Sequence, residues 1–94
     1  MTKIEQLARR LKKALTLHRN FADETRRLKQ ELDEWEAENG KGDAVWHLLL
    51  WELSLAFRQQ VFCRDLSRHL HDQYRSERER VLASVFPPED PDDF

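Results

Sequence analysis

Proline is missing from the first 86 residues, and glycine occurs only at positions 40 and 42. Two long intervals therefore carry no strong helix breaker, and β architectures, which need such residues at every tight turn, are disfavoured. Cysteine occurs once, as Cys63, so no intramolecular disulfide framework can form and a reducing compartment is the default. A bias of charge is missing too. Lys and Arg number 16 against 18 Asp and Glu, a net of −2, which gives no global attraction to nucleic acid or acidic lipid. There is no long hydrophobic run. The stretch from Ala44 to Phe57 is shorter than the roughly 20 residues of a membrane span, and it contains His47 and Glu52. No N-terminal apolar run resembles a signal peptide. Residues 1–22 have some transit-peptide character, being rich in Arg and Lys with Glu5 as the only acid. The same apolar period continues past residue 22, however, so the segment reads as part of the fold. The expectation is a single cytoplasmic domain with no membrane association.

What is present is dominated by residues 43–66, DAVWHLLLWELSLAFRQQVFCRDL. At 3.6 residues per turn, Trp46, Leu49, Leu53, Ala56, Gln60 and Cys63 fall along one line, with Leu50 and Phe57 beside it. A second line runs through Leu48, Trp51, Leu55, Phe62 and Leu66 on another side. One apolar stripe satisfies one neighbouring helix, and two stripes call for two neighbours.

The first half of the chain supplies one of them. Ile4, Leu11, His18, Thr25 and Leu32 alternate with Leu7, Ala14, Phe21, Leu28 and Trp35 in steps of three and four, the heptad form of helix-against-helix packing. Ala8, Leu15 and Ala22 widen the stripe, while His18 and Thr25 interrupt it. Polar residues at such positions usually set register. Asn20 with Asp23 has the look of an N-cap and leaves a broken first helix as the alternative to a continuous one over 3–38. Asn39 or Gly40 suits a helix C-cap, the turn covers 39–42, and Asp43 suits the N-cap of a second helix running to residue 86. So short a connection returns the helices antiparallel. It sets Trp35 near Trp46, Phe21 near Val61, Leu11 near Leu70 and Leu7 near Tyr74. Past Leu66 the second helix thins to Leu66, Leu70, Tyr74, Val81 and Val85, with Arg64, Arg68, Arg75, Arg78 and Arg80 interleaved with Asp65, Asp72, Glu77 and Glu79 as a solvated surface. Pro87 and Pro88 end it, and residues 87–94 read as an acidic disordered tail.

The predicted architecture is therefore all-α: a long antiparallel helical hairpin over residues 1–86. A two-helix rod has no interior, and leaving Leu48, Trp51, Leu55 and Phe62 in water forgoes about 1.5–3 kcal/mol each. Dimerisation into a four-helix bundle is the simplest remedy. In outline this is similar to the Rop-type RNA-binding hairpins, which also dimerise into four-helix bundles, although no sequence motif is shared.

Chemical motifs are sparse. None of His18, His47, His69 and His71 follows a Glu by three residues, so the Glu-x-x-His signature of di-iron bundles is lacking. Asp65, His69 and Asp72 share a helix face at metal-ligand spacing, which charged faces also produce by chance. Cys63 falls near His18 across the hairpin, but no third orienting group or oxyanion donor accompanies the pair, and a structural cysteine is the better reading. There is no phosphate-binding glycine loop and no nucleophile elbow. No catalytic, cofactor or metal role is expected.

Two binding readings remain. The first is a protein–protein interaction module, such as a small regulator, adaptor, chaperone or inhibitor, assembling through Trp46, Leu48, Trp51, Leu55, Phe62 and Leu66; a homodimer, a protein partner, or both are implied. The second is a nucleic-acid-binding hairpin. Six cations in the first 20 residues face only Glu5, and an antiparallel return brings Arg9, Arg10 and Lys13 to the same end as Arg68 and Arg75. The opposite end, with Glu31, Asp33, Glu34, Glu36 and Glu38, is acidic. Ends of opposite charge can steer antiparallel association.

Overall fold

The computed structural model describes residues 1–85. They form two helices, α1 (Lys3–Asn39) and α2 (Ala44–Val85), packed against each other as an antiparallel hairpin. The tail expected at 87–94, and the proline stop that precedes it, lie outside the described residues.

α1 begins at a Thr-x-x-Glu sequence: the Thr2 hydroxyl accepts from the Glu5 backbone N–H at 3.2 Å. It then runs unbroken. The possible break with Asn20 as N-cap does not occur: Asn20 lies within the continuous helix, and Asp23 pairs with Arg26 one turn on. Gly40 ends α1 with φ 78°, and its N–H donates to the Glu36 carbonyl at 2.9 Å. A positive φ at Gly42 completes the turn, so both glycines stand where a side chain would strain the backbone. Asp43 caps α2, its Oδ1 accepting from the Trp46 N–H at 2.7 Å.

Two indoles tie the turn from opposite sides. Trp35 Nε1 donates to the Asp43 carboxylate at 3.0 Å, and Trp46 Nε1 donates to Glu36 Oε1 at 2.7 Å. Each tryptophan thus contributes an apolar body to the packing and a polar tip to the other helix's terminus.

All ten heptad positions of α1 are buried or half-buried. They meet a matching line on α2: Trp46, Leu49, Leu53, Ala56, Gln60 and Cys63, continued by Ser67, Leu70, Tyr74 and Glu77, again all buried or half-buried. Near the open end Leu7, Ala14 and Leu70 form a buried cluster against which Leu11, Leu66 and Tyr74 pack, as the antiparallel register requires. Ala14, 2% exposed, and Ser67 mark a close approach of the two helices. Two of the polar residues on these lines are served locally. Ser67 Oγ donates to the Cys63 carbonyl at 2.7 Å and Thr25 Oγ1 to the Phe21 carbonyl at 2.7 Å, so neither needs a partner across the interface.

One expectation is corrected. Glu77 is not part of the solvated surface; it is 7% exposed, and Val81 and Val85 lie outside the packed line. Seven residues on from Leu70, Glu77 occupies the last position that α1 can cover. It is bridged there by Lys3 at 3.6 Å and by Arg80. Val81, Leu82 and Val85 extend past the start of α1 and are exposed.

Candidate protein-interaction surface

The hairpin is one helix thick, 14 Å along its shortest axis, so each helix can hide only the face turned to the other. For α1 that nearly suffices, because its outward positions are mostly charged or polar, Leu15 and Leu17 being the large apolar exceptions. For the first half of α2 it does not. Leu53 points into the packed line, and a step of two residues in either direction turns about 200° around the helix, which carries Trp51 and Leu55 to the far side. Leu48, Trp51, Leu55 and Phe62 accordingly form an outer stripe, exposed by 53%, 62%, 37% and 65%. Leu50 and Phe57, beside the inner line in the sequence, are also left exposed on the flank. Arg58 is the one charge within the stripe.

The six residues expected to assemble thus divide into two groups. Leu48, Trp51, Leu55 and Phe62 stand free on one continuous face of α2. Trp46 and Leu66 are half-buried within the hairpin, Trp46 through its tie to Glu36 and Leu66 through the open-end cluster. The exposed flank of Leu50 and Phe57 was the part that the line pattern did not separate from the interior.

The basic residues do not converge on one face. Arg10 lines a groove with Lys3, His69 and Arg80 on one flank of the open end. Arg68 lines a second groove with Leu15 and His71. Arg9, Lys13 and Arg75 are exposed, and Arg75 is hydrogen-bonded to Glu79 at 3.4 Å. At the other end Glu31, Glu34 and Glu38 line a shallow groove beside Trp35 and Val45. Charge along the rod is therefore polarised by end more clearly than by face.

A hydrogen bond from Arg80, reinforced by the Arg80 and Lys3 charges, holds the Glu77 carboxyl below its usual range and raises Arg80 in return. On α1, Arg27 does the same to Glu24 while also pairing with Glu31. These are ion pairs within the fold. Among the described residues, no three His, Cys, Asp or Glu side chains come together as a metal site, so Asp65, His69 and Asp72 are not gathered into one. Cys63 is buried in the packed line. No described helix is long and apolar enough to cross a membrane.

No protein-family model matches the chain, and no curated protein or solved structure matches it either.

Proposed function

We propose that this protein is a non-enzymatic interaction module that works through the outer face of α2. The observation that carries this reading is the unpartnered stripe of Leu48, Trp51, Leu55 and Phe62 along one face of α2. Together with Leu50 and Phe57, these side chains leave on the order of 600 Å² of apolar surface open, at the upper end for a monomer and close to one partner's share of a standard interface. Two aromatic anchors in one patch are the usual composition of a binding hot spot. A second helical surface laid on this face would give α2 its second neighbour, and when that surface belongs to another hairpin four helices associate. A regulator, adaptor, chaperone or inhibitor acts through binding of this kind.

The test is the double substitution Trp51→Ala with Leu55→Ala. Both side chains point away from α1, so helix content by circular dichroism should stay unchanged while the assembled mass in light scattering falls. A double variant in which assembled mass and partner binding are both unchanged contradicts the reading.

The nucleic-acid reading rests on the basic first 20 residues. It draws less support, because Arg10 and Arg68 line different grooves. It requires RNA or DNA affinity that falls steeply with salt; no retardation of a duplex or an RNA hairpin at low salt removes it.

A further inference from the structure

We infer that the occupant of the outer α2 face is a second copy of this chain, lying antiparallel across a twofold axis that crosses α2 at the level of Leu53. The inference rests on the reading of that face as a docking surface and adds its partner, direction and register.

The first argument is self-complementarity. A twofold interface presents the same patch on both sides, so the patch must fit its own reversed image. Ala44, Leu48, Trp51, Leu55, Arg58 and Phe62 follow one another by four, three, four, three and four residues, a spacing that reads the same in both directions. Reversal about Leu53 lays Phe62 against Ala44 of the second copy, Leu55 against Trp51, and Arg58 against Leu48. The most exposed side chain of the stripe, Phe62, thus meets the smallest residue, Ala44, as interdigitating helices require. The Arg58 stem runs along Leu48 of the second copy, and its guanidinium reaches water at the rim.

The second argument is charge. The turn end carries Glu34, Glu36, Glu38 and Asp43, whereas the open end carries Lys3, Arg9, Arg10 and Lys13. A parallel pairing would stack acidic end on acidic end and basic end on basic end. The antiparallel pairing brings the acidic turn of each copy alongside Arg64 and Arg68 of the other, both exposed.

The third is the placement of the stripe. It lies almost opposite the packed line and on α2 alone, while the outward face of α1 is mostly charged, its exposed Leu15 and Leu17 lying towards the open end. The assembly is therefore an open layer, α1–α2–α2–α1, with the two apolar α2 segments at its centre, rather than a square bundle in which every helix touches two neighbours.

The experiment is light scattering over a concentration series on the full chain, followed by an interspin distance on the dimer. A ketone-bearing phenylalanine in place of Arg68 takes an oxime-linked nitroxide and leaves Cys63 untouched. The antiparallel register places the two labelled positions about 45 Å apart at 1.5 Å per residue. A dimer with that separation is the expected result. A dimer with the labels within about 20 Å is parallel at this helix spacing and overturns the direction. A monomer at every concentration overturns the second copy as occupant but leaves the docking face standing. A dimer that survives Trp51→Ala with Leu55→Ala removes the face itself, and with it both proposals.

Discussion

At the residue scale, two carboxylates do work that their neighbours do not. Glu77 closes the packed line against α1 under Lys3 and Arg80. Its folded pKa lies below the ordinary value of 4.5, so the stabilisation it gives is present above that value and is lost as pH falls through the lower folded one. Glu77→Gln should therefore lower the urea midpoint at pH 7, and the gap from the wild type should close towards pH 2. A gap independent of pH would show that shape, not charge, matters at this position. Asp43 both caps α2 and holds the Trp35 indole. Asp43→Ala should cost about 1–2 kcal/mol in chemical denaturation, at the upper end for a helix cap. The Asp43 cap was read from the sequence; its hold on Trp35 and the burial of Glu77 were not. The heptad step from Leu70 to Glu77 was there to be followed, but a Glu among alternating charges looks solvated until its cover by α1 is known. The indole ties depend on rotamers, which spacing does not encode.

At the scale of the elements, the two faces of α2 should respond in opposite ways. Leu28 is buried in the α1 side of the hairpin, and Leu28→Ala should cost about 2–5 kcal/mol of unfolding free energy. Leu48→Ala, on the outer stripe, should change the stability of an isolated hairpin by no more than about 0.5 kcal/mol while weakening assembly; urea denaturation at low and high protein concentration separates the two effects. Both helices and the turn were legible in the sequence because the breakers are confined to Gly40 and Gly42 and the heptad of α1 is uninterrupted in period. His18 and Thr25 did not spoil it, since a helix tolerates a polar seam position that bonds within its own turn, as Thr25 does to Phe21. The ambiguity at Asn20 and Asp23 was real at the level of residue type. It was resolved by Arg26, three residues on, which gives Asp23 a helical partner. The end of the α2 line was misread because Val81 and Val85 continue the apolar spacing, whereas coverage stops where α1 starts.

At the scale of the whole molecule, the two helices differ. α1 has one apolar face and a mostly charged outer face. α2 is apolar on both sides between Leu48 and Phe62, and the proposed partner would cover the side that α1 leaves open. The stripe itself was readable from the sequence; its isolation from the packed line, and the exposure of Leu50 and Phe57 beside it, needed the crossing of the helices to be known. The claim that a second copy covers this face is tested most directly at Trp51. Acrylamide quenching of the tryptophan emission, followed over a dilution series and compared with Trp51→Phe as the background from Trp35 and Trp46, reports the accessibility of that one indole. The account predicts that Trp51 is protected at high concentration and becomes open to quencher on dilution. Quenching of Trp51 that is high and the same at every concentration would contradict it.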